Sequence, residues 1–208
     1  FVSCEKDKTA EPQLNNLTGK LHGVFSVSTT DKVQFSQGNL QYDTYAKKWQ
    51  FASQQYEVQG ANNVTENGVQ DLFTWTTDGW KTDDTWRVLS SQEWNYLINE
   101  RTNHQNLVTA ARIDGTMGLV LLPDNWSLDP LTSTYTLAQW QTLEEAGAVF
   151  LPLAGLQLAD ADAIGAIGVI GAYWSSTSRD QTLAWHIFVI GATNTTQLAS
   201  SDKQSLLS

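Results

Sequence analysis

The stretch AYWSSTSRDQTLAWHIFVIG, at residues 172–191, limits most strongly how this chain can fold. It predicts two strands joined by a polar turn. Bulky side chains occupy both faces of the second strand, whereas a half-exposed strand alternates apolar and polar residues. The outward row consists of His186, Phe188 and Ile190. Either another layer, such as a loop at 159–171, covers this row, or the row forms the centre of a binding patch.

The side chains around this row define a candidate site. Alternation along the second strand predicts that Ile187 and Val189 face the core. Tyr173 and Trp174 of the first strand are expected to join them. Polar and aromatic residues of the turn and of the following segment would form a rim around the outward row. The candidate ligand-binding residues are therefore Arg179, Asp180, Gln181, Trp185, His186, Phe188, Ile190 and Asn194.

The composition favours a folded domain and excludes some partners. Of the 208 residues, 41% are hydrophobic, which suffices for a core, and only 16% are charged. The formal net charge of −10 argues against a nucleic-acid partner, because binding to phosphates needs a basic face. The same charge disfavours adsorption to anionic lipid. The sequence has no run of about 20 apolar residues, so it predicts no membrane-spanning helix.

Cysteine and histidine usage argues against a metal site or a cofactor. Cys4 is the only cysteine, so an intramolecular disulfide and a site with paired cysteine ligands are impossible. The three histidines, His22, His104 and His186, lie far apart and show no ligand spacing. We therefore expect neither a bound metal nor a cofactor.

Residues 1–4, Phe-Val-Ser-Cys, resemble the end of a bacterial lipobox, in which a peptidase cuts before the cysteine and the cysteine is acylated. The alternative is an incidental or buried cysteine. The polar, aperiodic residues that follow are typical of a tether. We expect a signal remnant and flexible tether at 1–20 and one domain at 21–208. Cys4 would anchor the protein at the bacterial outer membrane, facing outward, and would be its sole membrane contact.

Two helices and several short strands are predicted. A capping box of Ser90 and Glu93, followed by an apolar stripe, predicts a helix from Ser91 to about Arg101. Helical spacing predicts a second helix that ends at Gly147. The first three strands resemble an antiparallel meander. The predicted strands lie at 23–28, at 32–42 with a bulge at Gly38, at 48–58, on both sides of Asp114-Gly115, at 148–155 and in the two strands described above, before a polar end at 193–208.

Three sequence blocks occur in an order and spacing that resemble a known group. They are WRVLSSQEWNYLI at 86–98, LVLLPDNW at 119–126 and YWSSTS…AWHIFV at 173–189. They are similar to the major paralogous domain first named in Fibrobacter, which belongs to the C-type lectin-like fold, in the branch of the formylglycine-generating enzymes. The resemblance spans residues 23–208. It implies an α+β domain with two helices, several short, mostly antiparallel strands and long loops.

The chain lacks the residues behind the chemistry of these relatives. Formylglycine-generating enzymes hold copper with active-site cysteines, and no cysteine lies inside this domain. The Glu-Pro-Asn, Gln-Pro-Asp and Trp-Asn-Asp motifs of calcium-dependent lectins are absent, and PDNW at 123–126 is interpreted as a turn. Some bacterial proteins of this fold are variable proteins of diversity-generating retroelements, in which the segment after a YWSS-like motif forms the binding face. Residues 178–207 occupy the matching place.

These observations predict a non-catalytic, surface-displayed ligand-binding domain whose binding face is built from residues 178–207. Its ligand would be a protein or a carbohydrate. The alternative is a structural adhesin or fimbrial-tip component, for which the partner is a sister subunit. A hydrolase is disfavoured: Ser175 and Ser176 could meet His186 across the hairpin, but no Gly-x-Ser-x-Gly motif is present.

Replacement of Cys4 tests the anchor. If Cys4 carries acyl chains, Cys4→Ala should move the protein from the membrane to the soluble fraction, because each buried methylene contributes about 0.8 kcal/mol to membrane binding. Cell fractionation with immunoblotting measures the distribution. Ser3→Ala is the matched control and should stay with the membrane. Membrane retention of Cys4→Ala would show that the lipobox interpretation is wrong.

Overall fold

The computed structural model describes residues 1–3, 19–58, 68–76, 85–128 and 131–208 of the chain. Within these ranges the protein has a mixed α+β fold of four small sheets and a few short helices. The strands are β1 (Val2–Ser3), β2 (Phe25–Ser26), β3 (Lys32–Phe35), β4 (Leu40–Asp43), β5 (Lys48–Phe51), β6 (Val69–Gln70), β7 (Trp86–Arg87), β8 (Val108–Ile113), β9 (Thr116–Leu121), β10 (Thr134–Tyr135), β11 (Val149–Pro152), β12 (Ile170–Ser178), β13 (Leu183–Ile190) and β14 (Thr195–Asp202).

Both predicted helices form, and their capping signals are confirmed. The Ser90 hydroxyl accepts the Glu93 N–H, and the Glu93 carboxylate accepts the Ser90 N–H, which completes the capping box. Gly147 follows the last helix in a left-handed conformation, with φ of +97°. A one-turn helix, α2, is an addition that the sequence did not predict. The helices are α1 (Ser91–Asn95) with a π-helical continuation at Tyr96–Glu100, α2 (His104–Leu107), α3 (Leu137–Glu145) and a 3-10 turn at Gly191–Thr193.

The prediction of one meander over residues 23–58 is wrong, because its middle strand, at 32–42, is divided between two sheets. β3 and β4 lie in different sheets, one with the order β2-β3-β1-β7 and the other with the order β5-β4-β6. Between them the Ser36 hydroxyl donates to the Gly38 carbonyl at 2.8 Å. A side chain at Gly38 would place its Cβ 2.5 Å from the Ala52 carbonyl oxygen, so this crossing needs glycine. The glycine that suggested a bulge therefore marks a switch between sheets.

The sheet β10-β8-β9-β11 separates two cores. Asp114 and Gly115 form the predicted turn between β8 and β9, with φ of +47° and +87°. Leu119 and Leu151 on one face pack into the main core, and the opposite face packs against Trp140 of α3. All four residues of β11 are buried, which explains its continuous apolar sequence.

β13 is the middle strand of the antiparallel sheet β12-β13-β14. Ile187 and Val189 are fully buried in the main core, as predicted. Trp174 is also buried as predicted, but it lies on the opposite face, in a smaller cluster with Trp75 and Leu207. Both faces of β13 are therefore in contact with other parts of the protein.

The polar end of the chain contains a strand that the sequence did not predict. β14 pairs with the whole length of β13, from Ile190 opposite Thr195 to Leu183 opposite Asp202. Leu198 is the one large apolar residue of β14, and it packs against the main core. Because the segment has no apolar alternation, its extended shape depends on the partner strand rather than on its own pattern.

The first strand, β1, is part of a sheet of the domain. β1 lies between β3 and β7, and Val2 is only 1% exposed. The prediction assigned residues 1–4 to a signal remnant outside the domain, whereas the core takes up the apolar side chain of Val2. Residues 4–18, with Cys4 and most of the predicted tether, lie outside the described residues.

Arg101 is a buried charge, 1% exposed, that joins several elements. Its guanidinium donates to three backbone carbonyls at 2.8 to 3.3 Å and lies 3.3 Å from the Asp124 carboxylate. Asp124 lies in the PDNW segment, a turn as predicted, and accepts from the amide and hydroxyl of Ser26. Burial raises the pKa of Asp124, but the hydrogen bonds from Ser26 and the charge of Arg101 outweigh it. The pKa therefore lies below its ordinary value.

Asp124→Asn is expected to lower the free energy of unfolding by about 2–3 kcal/mol at neutral pH, because the buried guanidinium of Arg101 loses its counter-ion. Since the folded pKa of Asp124 is depressed, its contribution is present above the unfolded pKa of about 3.9 and is lost as the pH falls towards the folded pKa. Urea unfolding at neutral and acidic pH measures both effects. The control, Asp162→Asn at an exposed position, should change stability by less than about 0.5 kcal/mol. An Asp124→Asn protein as stable as the wild type would contradict this role.

Candidate functional site

A cleft of about 510 Å³ opens between one face of β13 and β14 and the loop at 156–169. Its volume falls within the range of small-molecule sites. The loop is folded onto itself, because the backbone groups of Leu156 and Gly165 bond each other at 3.2 and 2.9 Å. The cleft is lined by Leu156, Leu158, Ala161, Ala163, Gly165, Ala166, Ile170, His186, Phe188, Gln197, Ala199, Ser200 and Ser201.

The wall of the cleft is largely apolar. Among the described residues that line it, none is Asp, Glu, Lys or Arg. The loop also exposes Leu158, Ile167 and Val169, with 49%, 43% and 51% of their surfaces accessible. These three make up half of the six large hydrophobic residues that are exposed in the described part of the chain. An exposed apolar rim next to an apolar cleft is typical of a surface that receives a ligand or partner.

His186 is the buried polar residue of the cleft, with 2% of its surface exposed. Its Nδ1 lies 3.0 Å from the Ile187 carbonyl oxygen, and its Nε2 lies 3.0 Å from the Ser201 hydroxyl oxygen. Because a carbonyl only accepts, Nδ1 carries the proton, and Nε2 of the neutral ring accepts from Ser201. Burial lowers the pKa of His186, and the hydrogen bond to Ile187 offsets this only in part, so the neutral ring is favoured.

The outward row of β13 is neither open nor fully covered. His186 lies edge-on to Trp174 and Phe188, whose ring centres are 5.7 and 6.1 Å from the imidazole. Phe188 is half-buried, packs against the cluster that contains Trp174, and lines the cleft. Ile190 is half-buried opposite Ile170. The 156–169 loop thus leaves part of the row as a wall of the cleft.

Trp185 and Arg179 are not among the residues that line this cleft. Trp185 is half-buried and lines a second, more polar groove of about 870 Å³, together with Leu198. The Arg179 guanidinium lies over the Trp185 ring, 5.3 Å from its centre, and donates to the Ser200 hydroxyl at 2.5 Å. The structure therefore divides the predicted site between two faces of the sheet. It does not place Trp185 at the rim of the row that contains Phe188.

Two other predicted residues shape the backbone. Asp180 Oδ1 accepts from two backbone amides at 2.8 Å, which closes the turn between β12 and β13. Asn194 Oδ1 accepts the Ala110 N–H at 2.6 Å, which ties the turn before β14 to β8. Gln181 is exposed at the tip of the β12–β13 turn. Asp180 and Asn194 therefore stabilise turns of the backbone, and neither residue lines the cleft.

Sequence reasoning missed the parts of the cleft that come from β14 and the loop. Ala199 lies opposite His186, and Gln197 lies opposite Phe188, because β14 pairs with β13. Ser201 meets His186 for the same reason. No local pattern marks these residues. The one available signal was the strand preference of the threonines that begin the segment.

The serines considered as partners of His186 do not take that position. Ser175 is 1% exposed, and its hydroxyl donates to the Trp185 carbonyl at 2.8 Å. Ser201 bonds Nε2 instead, while Nδ1 is held by a backbone carbonyl rather than by a carboxylate. The arrangement offers a hydroxyl for hydrogen bonding in an apolar surrounding.

The described residues contain no group of three or more His, Cys, Asp or Glu side chains placed to hold a metal ion. In the same ranges, none of the helices is long and apolar enough to cross a membrane. No protein-family model, curated protein or solved structure matches the chain significantly. A functional proposal therefore depends on the geometry of the cleft and on the sequence.

Proposed function

We propose that this chain is a non-catalytic, surface-displayed ligand-binding domain whose ligand enters the cleft between β13–β14 and the loop at 156–169. The observation that carries the proposal is the coincidence of the cleft with the C-terminal segment 178–207, which the sequence singles out. His186 and Phe188 were selected from the sequence, and both line the cleft. The ligand is a protein or a carbohydrate, of which a part enters the cleft.

The finer proposal for the fold is a C-type lectin-like domain. Two capped helices, small and mostly antiparallel sheets and a long loop beside the cleft agree with this assignment. In variable proteins of that fold, the C-terminal segment forms the binding face. Segment 178–207 is proposed to have the same role, with β13 and β14 supplying cleft residues.

We also propose that acylated Cys4 holds the domain at the outer membrane. The acyl chains then supply the membrane affinity, and the domain needs no membrane-binding surface of its own. Cleavage before Cys4 would remove β1, so β3 and β7 would lose the strand that lies between them. The anchored form would therefore differ from the structure described here at this sheet.

An adhesin or fimbrial-tip subunit is the second candidate, and one observation favours it. Among the described strands, β14 pairs only with β13, so none of them pairs with its other edge. A sister subunit can add a strand to such an edge. Closely related copies of the gene would separate the two candidates, since changes confined to residues 178–207 favour a diversified receptor.

Phe188→Ala is expected to abolish binding while the domain stays folded. Because Phe188 is half-buried, we expect a stability loss of about 1–3 kcal/mol, between the values for a surface position and for a core phenylalanine. Thermal melts measure the stability. A glycan array and a peptide-display library measure the binding of wild type and variant.

The control for this experiment is Phe51→Ala. Phe51 is 7% exposed and belongs to a separate cluster. Its replacement should cost about 3–5 kcal/mol but leave the ligands of the folded fraction unchanged. If the ligands of the wild type still bind to Phe188→Ala, the cleft is not the binding site.

A further inference from the structure

The cleft contains one polar position whose hydrogen-bond direction is determined. Because Nδ1–H of His186 is donated to the Ile187 carbonyl, Nε2 of the neutral ring is an acceptor. Ser201 lies 3.0 Å from Nε2 and therefore donates its only hydroxyl proton to this atom. Ser201 Oγ keeps lone pairs, so it can act towards a ligand only as an acceptor.

Most of the surface around this acceptor is hydrocarbon, and Gln197 and Ser200 are the other polar residues of the lining. Phe188, Leu156 and Ile170 supply the larger apolar surfaces, and alanines supply much of the rest. A carboxylate or phosphate entering the cleft would lose its hydration without meeting a cation among the described lining residues. A sugar ring would bring several hydroxyl groups, and the apolar wall could pair few of them. An uncharged ring with a single donor matches this wall.

The apolar surface continues outside the cleft. Leu158 lines the cleft and is itself exposed, and Ile167 and Val169 are exposed beyond it on the same loop. A free phenol would occupy only part of the cleft and would leave this rim in water. A protein segment can place a side chain in the cleft and cover the rim with its neighbouring residues.

We infer that the cleft receives a tyrosine side chain of a protein ligand, with the phenol O–H donating to Ser201 Oγ and apolar flanking residues covering Leu158, Ile167 and Val169. This inference rests on the proposed binding function and selects a protein over a carbohydrate as the ligand. Phenylalanine fits the same space but leaves the Ser201 lone pairs without a donor. The cleft should therefore prefer tyrosine to phenylalanine.

The test uses two short peptides, acetyl-Leu-Tyr-Leu-amide and acetyl-Leu-Phe-Leu-amide, titrated into the full chain and followed by amide shifts in NMR spectra. We expect the phenylalanine peptide to bind about 2- to 10-fold more weakly, as for the loss of one neutral hydrogen bond. A peptide with O-methyltyrosine should be weakened at least as much, because it lacks the donor. This comparison needs no variant of the protein and so does not depend on the folding of one.

Three variants locate the effect. Ser201→Ala should bring the tyrosine and phenylalanine peptides to equal affinity, within about twofold. Ala199→Leu, opposite His186, should narrow the cleft beside Ser201 and weaken the binding of both peptides. Ala192→Leu places the same side chain at an exposed position outside the cleft lining and should bind like the wild type.

Equal binding of the tyrosine and phenylalanine peptides to the wild type would overturn the inference, and so would a tyrosine preference that survives Ser201→Ala. Absence of peptide binding would overturn it as well. If, in any of these cases, ligands that depend on Phe188 are still found on the arrays, the proposed binding function stands without the tyrosine assignment. A tyrosine preference without any array ligand would support the chemistry of the cleft and contradict the proposed function.

Discussion

The burial of β13 on both faces is the constraint on which the rest of the structure depends. Ile187 and Val189 on one face are fully buried in the main core. On the other face His186 is an imidazole within an apolar strand, and burial of an unpaired polar group is costly. Ser201 and the Ile187 carbonyl satisfy both ring nitrogens. His186, the residue that breaks the apolar pattern of β13, therefore needs a hydrogen bond from β14. The same strand supplies one wall of the cleft.

The neutrality of the cleft contrasts with the charge of the whole chain, which is −10. Among the described residues the ion pairs lie elsewhere: Arg87 pairs with Glu93 at the start of α1, and both Arg101 and Lys32 pair with Asp124. The excess acidic charge repels anionic molecules at long range, and the cleft offers an anion no counter-ion at short range. Both effects point towards an uncharged ligand group, for which shape and one hydrogen bond decide the affinity.

Local features of the fold were predictable from the sequence. The capping box at Ser90, the glycine cap at Gly147 and the Asp114-Gly115 turn involve residues a few positions apart, so short motifs specify them. The prediction of a meander was wrong because a glycine such as Gly38, inside an alternating pattern, is compatible both with a bulge and with a change of sheet. The close approach of Ala52 to Gly38, which is known only from the structure, distinguishes a bulge from a change of sheet.

The candidate site was predictable only in its β13 half. Alternation identified His186 and Phe188, but a period of two gives no information about what lies across the cleft. Ser201 and Gln197 reach the site through pairing with β13, and Leu156 reaches it through the fold of the loop. Trp185 was assigned to the rim because aromatic residues are common in binding sites. Strand alternation, however, places residue 185 on the same face as Ile187, opposite the face of His186 and Phe188.

The most direct test of this account is the state of the His186 ring, measured by long-range proton–nitrogen NMR correlation. The account predicts a neutral ring with the proton on Nδ1 at neutral pH, and protonation only at a pH below the ordinary histidine range, because the ring is buried and Nε2 accepts from Ser201. A proton on Nε2 of the neutral ring, or titration at the ordinary histidine pKa of about 6.5, would contradict the arrangement on which the cleft and its ligand preference depend.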